Sequence, residues 1–389
     1  MRIAFVIPWY GNIPGGAEME CKLTAENLLK RGFEVEILTT CVKEFRSNWN
    51  FNYYKEGLYE VDGVTVRRFK ITERDTERFD RINYKLINNK KVSLKEEQAF
   101  IREMVNSEGL YSYISVNGKN YDYFLFIPYM FGTTYYGSQI HPEKSILIPC
   151  LHDESYAYMD IYRQMFEGAS GLVYLSEPEK ELANRLFDIK CRQMVIGGGV
   201  DTDVTYDVNR FRDKYKIKED FILYAGRRDP GKNVPLLLDY YCSYKDRNAN
   251  DLKLVLIGSG DVDIPVKYQR DIIDLGFVSK QDKYDAYSAA MVLCQPSLNE
   301  SFSIVIMESW LCDTPVLVHA DCTVTKGHCI NSNGGIYFKD YDEFEGCIDF
   351  YLKNSKMGNR MAENGKLYVN NNYSWSKIVK NYVDFFTEM

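Results

Sequence analysis

No stretch of this 389-residue chain holds the roughly 20 consecutive apolar residues that a membrane-spanning helix needs, so any contact with a membrane is expected to be peripheral. Positive charge is also in short supply. Lys and Arg number 48 against 55 Asp and Glu, and the formal charge of −7 argues against a general nucleic-acid binder, whose affinity needs a basic surface. The ten cysteines include no C-x-x-C pair and no zinc-finger spacing, and Met1 is followed by no charged-then-apolar leader, which together read as a reduced, cytoplasmic protein. Cys150, Cys294 and Cys312 sit inside apolar runs, where a thiol acts as a small hydrophobe. His319 and His328 lack ligand spacing with a partner and read as structural. G-x-G-x-x-G is missing too, so a dinucleotide fingerprint is poorly supported. No solenoid repeat or low-complexity segment is present.

What is present suits two domains of roughly 150–200 residues, each able to bury its own core. Apolar residues make up 45% of the chain, the ordinary share for a globular protein. Tyrosine is abundant, with 31 residues, and its apolar body with a single hydroxyl suits both cleft walls that meet sugars and plain packing at strand ends. One segment runs against the acidic balance: Arg67–Lys95 carries ten Lys or Arg and four Asp or Glu. Such a patch suits anionic lipid, an acidic acceptor or a solvated excursion.

The first half opens with the apolar strand Arg2–Trp9, a glycine-rich turn and a helical stretch over about Ala17–Lys30, followed by a strand at Phe33–Thr39. This βαβ unit predicts a parallel sheet. Further strands are expected at Val64–Phe69, Asp122–Pro128, Ile146–Leu151, Leu172–Leu175 and Gln193–Ile196, and helices near Glu96–Asn106, Tyr156–Phe166 and Pro178–Phe187. Phe45–Val61 has no clean period and is left unassigned. Gly197-Gly198-Gly199 suits an interdomain hinge. A second series follows, with strands at Phe221–Ala225, Lys253–Ile257, Ile272–Val278, Met291–Gln295 and Pro315–His319, and helices from about Asn233, near Asp282–Ala289 and near Phe302–Leu311. The expected division is residues 1–198, with the helix 374–389 packing back on them, and residues 199–373. Two open α/β sheets imply a ligand at the carboxyl ends of their strands, in the crevice between the domains.

Several constellations stand at such strand ends. Gly15-Gly16-Ala17-Glu18 joins the first strand to the first helix, where glycines let backbone approach a ligand and the helix N-terminus favours an anion; a tight turn needs the same residues. Gly226-Arg227, with Lys232 beyond the turn Asp229-Pro230-Gly231, places two cations suited to a diphosphate, and Arg228 either competes for that role or faces water. Gly258-Ser259-Gly260 is a second strand-end turn, placed for a nucleotide. Glu300 and Glu308 lie about 12 Å apart along a helix, a span like that from a sugar across a diphosphate to a ribose. Each is also an ordinary helix acid when taken singly. Asp201-x-Asp203 and Asp261-x-Asp263 follow glycine-rich turns, which explain them as well as metal binding does. His152, at the end of the run Ile146–Leu151, suits either a sugar hydroxyl or a structural hydrogen bond.

Taken together, the Gly-Gly of 15–16, the Gly-Arg…Lys of 226–232, the Gly-Ser-Gly of 258–260, the Glu300…Glu308 pair in Asn-Glu-Ser-Phe-Ser-Ile-Val-Ile-Met-Glu-Ser and the closing Tyr373-Ser374-Trp375 resemble the retaining GT-B glycosyltransferases of family 4. That resemblance implies two Rossmann-like, doubly wound domains and transfer of a hexose from a nucleotide-diphosphate donor (a UDP- or GDP-sugar) to a glycan or lipid-linked acceptor. It further implies envelope-polysaccharide synthesis at the inner face of a membrane, with no metal and no cofactor beyond the sugar donor. Arg227 and Lys232 would bind the diphosphate, Glu300 and His152 the transferred sugar, Glu308 the ribose, and Gly16 the phosphates. The strand-end glycines Gly15, Gly226, Gly258 and Gly260, with Ser259, would line the donor. Two positions depart from the pattern: Arg228 replaces an apolar residue, and Ser301 replaces a small or Gly residue. A non-catalytic nucleotide-sugar or glycan binder and a sugar-nucleotide epimerase are the competing readings.

Overall fold

The structure, a computed structural model, describes every residue except Pro14 and Asp229, and Pro230 by its backbone alone. The chain divides into two compact units, residues 1–199 with 378–389 and residues 200–377.

The first unit is an eight-stranded sheet in the order β3-β4-β2-β1-β5-β6-β7-β8, formed by β1 (Arg2–Ile7), β2 (Glu34–Thr40), β3 (Gly57–Val61), β4 (Val64–Phe69), β5 (Tyr123–Phe126), β6 (Ser145–Leu147), β7 (Gly171–Tyr174) and β8 (Arg192–Val195). The central strands are apolar along their whole length because helices cover both faces, as parallel sheets require. The helices are α1 (Gly16–Lys30), α2 (Thr76–Ile87), α3 (Leu94–Arg102), α4 (Glu108–Asn117), α5 (Gly132–Ser138), α6 (Arg163–Gly168) and α7 (Glu177–Leu186). Three expectations are corrected. The sheet is not wholly parallel: β3, in the stretch left unassigned, pairs antiparallel with β4 through the turn Asp62-Gly63, both residues having positive φ. Asp-Gly supplies the left-handed pair that a tight hairpin needs. The strand expected over Ile146–Leu151 ends at Leu147, since Cys150 takes φ 52° and the chain leaves the sheet. The helix expected over Tyr156–Phe166 is instead two 3-10 turns, Ser155–Tyr158 and Asp160–Tyr162, followed by α6.

The second unit is a six-stranded, fully parallel sheet. Its strands are β9 (Phe221–Ala225), β10 (Lys253–Ile257), β11 (Ile272–Gly276), β12 (Val292–Gln295), β13 (Val316–His319) and β14 (Gly335–Phe338), in the order β11-β10-β9-β12-β13-β14. Helices α8 (Val208–Tyr215), α9 (Val234–Arg247), α10 (Lys280–Ala289), α11 (Ile304–Leu311), α12 (Thr323–Ser332), α13 (Tyr341–Lys353) and α14 (Ser355–Asn372) connect and flank them. Ile222, Leu254, Val292, Leu317, Phe338 and Phe344 belong to its core.

The last helix, α15 (Trp375–Thr387), carries the chain back into the first unit, where Tyr382 and Phe385 are fully buried. A Cβ on Gly171 would lie 2.8 Å from the Phe385 ring, so β7 offers the one residue type that lets this helix pack close. Burying each such ring contributes about 2 kcal/mol.

Candidate active site

In the second unit the strand order reverses between β9 and β12, the topological position at which open α/β sheets hold ligands beyond their strand ends. The candidate donor residues follow those two strands and β10. Beyond the sheet the backbone ladder continues: Gly226 N donates to Ile257 O at 3.0 Å, Arg228 N to Ser259 O at 2.9 Å, and Gly258 N to Gly276 O at 2.8 Å. Gly258 has φ +124°, and a Cβ there would stand 1.9 Å from the Gly226 carbonyl oxygen. Close approach of two turns thus accounts for this glycine.

Arg228 belongs to the same construction. Its guanidinium is 3% exposed and grips Asp274 with two nitrogens, at 2.7 and 2.5 Å, while Nη1 also donates to Gly260 O at 2.8 Å. The departure from an apolar residue at 228 therefore has a structural cause: this cation fastens the turn after β9 to β11 and to the glycine turn after β10. Asp274→Ala, which leaves that guanidinium buried without its carboxylate, is expected to cost about 3 kcal/mol of stability in a urea titration. A change below 0.5 kcal/mol would contradict this role. Arg227 is half-buried at the same turn, and its carbonyl accepts the Tyr224 hydroxyl at 2.5 Å. Asp229, in the turn that precedes Lys232, lies outside the described residues.

Lys232 Nζ lies 2.7 Å from Glu300 Oε1, in a pair whose side chains are 21% and 9% exposed. Gln295 Nε2, at the end of β12, donates to the same oxygen at 3.0 Å. The loop between them is held from below by Asn233, whose side chain donates to Pro296 O at 3.2 Å. Helix α11 starts at Ile304 rather than near Phe302 because Ser303 is left-handed, with φ 71°. The side-chain oxygens of Gln295, Ser297 and Ser303 are buried without a hydrogen-bond partner among the described residues, all along this loop. One helical stretch on, Glu308 is buried, accepting Lys283 Nζ at 2.6 Å on Oε1 and the Tyr287 hydroxyl at 3.1 Å on Oε2. Gln295, Lys283, Tyr287 and Asp274 were not marked out in the sequence. Lys283 and Tyr287 stand four apart on α10, a spacing that puts both on one face.

In the first unit, Gly15 caps α1 and a Cβ on it would meet Glu18 Oε2 at 2.0 Å, whereas one on Gly16 would meet nothing within 4 Å. Glu18 in turn accepts Trp9 Nε1 at 2.6 Å, tying the helix start to the end of β1. Pro14 of this turn lies outside the described residues. His152 is partly exposed, its Nδ1 3.7 Å from Glu154 Oε1. Beneath it, Glu179 of α7 accepts Leu151 N and Leu175 N, each at 2.7 Å, so one buried carboxylate joins the segments that leave β6 and β7. Burial pushes its carboxyl up to about 7.

Elsewhere, His319 and His328 are buried, and burial pushes the His328 imidazole down to about 4. Asp201 pairs with Lys280 at 3.1 Å. Among the described residues no group of three or more His, Cys, Asp or Glu is arranged to hold a metal ion. The basic segment is largely offset by its neighbours. Arg67 pairs with Glu36, Lys70 with Glu56, Arg78 with Glu103 and Lys85 with Glu96, while Arg68 and Arg74 donate to backbone carbonyls. No helix among the described residues is long and apolar enough to cross a membrane.

Two α/β sheets of this topology, one of eight strands and one of six, have the architecture of the GT-B fold. The same architecture is found in Anabaena HepE, solved in complex with UDP-glucose, at 14% identity and TM-score 0.72 with both chains covered in full. Residues 207–368 match the family model described as glycosyl transferases group 1. An uncharacterised glycosyltransferase of Methanocaldococcus jannaschii is 23% identical over 99% of this chain and 98% of its own. The N-acetylgalactosamine-N,N'-diacetylbacillosaminyl-diphospho-undecaprenol 4-alpha-N-acetylgalactosaminyltransferase of Campylobacter jejuni is 33% identical over 26% of this chain and 28% of its own. The chain is thus similar to group 1 glycosyltransferases, over residues 207–368 by the family model and over 99% of its length by the Methanocaldococcus jannaschii relative.

Proposed function

We propose that this enzyme moves a hexose, with retention and without a metal, from a UDP- or GDP-sugar to a hydroxyl of a glycan or lipid-linked acceptor in cell-envelope polysaccharide synthesis. The observation that carries the reading is the Lys232–Glu300 pair at the strand-order reversal. An ammonium has three donors, and one rests on Glu300; among the described residues no second acceptor holds it, which suits the others to a diphosphate. Lys232 thereby links the acid that grips the sugar to the phosphates that depart from it. Arg227 shares that negative charge as it develops on the leaving group. Glu300 retains Oε2 for sugar hydroxyls, and Glu308, steadied by Lys283 and Tyr287, accepts from the ribose. The turn 258–260, rigid through its packing on 226–228, lines the nucleotide. Retention brings the acceptor to the face the nucleotide leaves, and the departing diphosphate takes the acceptor's proton.

From the first unit, Gly16 contributes backbone to the phosphates; no contact among the described residues demands a glycine there. His152, on a segment fastened by Glu179, contributes to the sugar. For a lipid-linked acceptor, exposed Tyr84, Ile87 and Leu94 with Lys90, Lys91 and Lys95 offer apolar and cationic groups to anionic headgroups at the cytoplasmic face.

A thermal-shift series with UDP, GDP and ADP tests the donor. Uridine or guanosine diphosphate at 100 times its Kd is expected to add about 2.7 kcal/mol of stability. No shift with any of the three, and no release of nucleotide from their sugars when an acceptor is added, would remove the proposal.

A further inference from the structure

Gln295 ends β12 inside an otherwise apolar strand, Val-Leu-Cys-Gln, and is 2% exposed. An apolar side chain would suit that position by burial alone. The amide instead leaves Oε1 without a hydrogen-bond partner among the described residues, an arrangement that native interiors rarely keep without a reason. Among the described residues its one side-chain bond is from Nε2 to Glu300 Oε1, at 3.0 Å. The orientation of the amide follows from that contact, since its oxygen turned toward a carboxylate would repel it. Lys232 reaches the same oxygen from the other side of the loop, at 2.7 Å. One carboxylate oxygen is therefore fixed by two donors, and the other has no partner among the described residues, which leaves it to a ligand.

We infer that Gln295 is a positioning residue for the donor sugar: it holds the Glu300 carboxylate so that Oε2 faces the hexose, while Lys232 remains directed at the diphosphate. This rests on the reading of Glu300 as the sugar-binding acid. Gln295 sits on the sheet rather than on the loop, so the bond ties a loop acid to the most rigid part of the unit.

Two variants test it. Gln295→Leu keeps the burial and removes the donor. It is expected to keep wild-type affinity for the free nucleoside diphosphate, which has no sugar to offer Glu300, and to lose about tenfold in kcat/KM for the nucleotide-sugar. Gln295→Glu sets two carboxylates against each other. Only its protonated form can donate to Glu300, so its activity relative to wild type is expected to rise as pH falls, a dependence that mere packing does not produce. Equal losses of nucleoside-diphosphate and nucleotide-sugar affinity in Gln295→Leu, or a variant-to-wild-type ratio flat with pH in Gln295→Glu, would overturn the inference while leaving the donor assignment intact. A wild-type protein that binds no nucleotide-sugar would overturn both, and that outcome is recognised before any variant is made.

Discussion

Lys232→Ala is expected to lower kcat by about 10²–10³-fold, the usual loss when one group that meets charge developing in the transition state is removed. The ammonium sits in a partly buried pair at 2.7 Å from Glu300, so water screens it less than it would a surface lysine. Folding should suffer far less. Gln295 still holds the acid, and a loss of about 1 kcal/mol would move Tm by about 2–4 °C. Steady-state rates with the nucleotide-sugar and a melting curve separate the two effects. A near-normal turnover in this variant would sink the diphosphate assignment. Affinity for the nucleoside diphosphate should drop along with kcat, because the ammonium is proposed to touch the phosphates before and after transfer.

Glu300→Gln probes the other end of the pair and should behave differently. The substitution keeps the size of the side chain but removes the charge that would strengthen its proposed bonds to sugar hydroxyls. Hydrogen bonds to a charged group contribute about 1.5–3 kcal/mol each, so two hydroxyls contacted by Oε2 imply a loss of about 10²-fold or more in kcat/KM for the donor. The free nucleoside diphosphate should bind within about threefold of wild type, since the acid is proposed to meet the sugar and not the phosphates. Calorimetry with the diphosphate alone, beside kinetics with its sugar conjugate, reads the difference. Were the two ligands weakened alike, Glu300 would be a support for the loop and not a sugar contact.

The contrast between these variants depends on geometry that the sequence revealed unevenly. Strands β9 and β10 were legible to the residue, because five-residue apolar runs ending in glycine have few alternatives to a buried parallel strand. The edge strand β3 was not, since its outward residues Leu58, Tyr59 and Glu60 are all exposed and its pattern carries no buried face. The Asp62-Gly63 turn was the available signal there. Within the site, glycine turns and paired acids could be located by their distance from strand ends. Arg228 could not be sorted from Arg227 in the same way, because its partner Asp274 lies 46 residues further on and only the pairing of β10 with β11 brings it near. Glu179 was hidden for a similar reason: the groups that donate to it, Leu151 N and Leu175 N among them, are backbone amides, which no side-chain pattern records. Gln295 read as the tail of an apolar strand until its contact with Glu300 was seen.

The path of the chain through α15 has a consequence for biosynthesis. Residues 200–377 form one uninterrupted stretch, but the first unit needs residues 378–389, whose Tyr382 and Phe385 are wholly buried in it. During translation the second unit can therefore fold as soon as it clears the ribosome, while the first, though made earlier, must wait with part of its core unfilled until that terminal segment emerges. Nascent chains halted short of residue 378 should accordingly leave the earlier-made half the more open to protease.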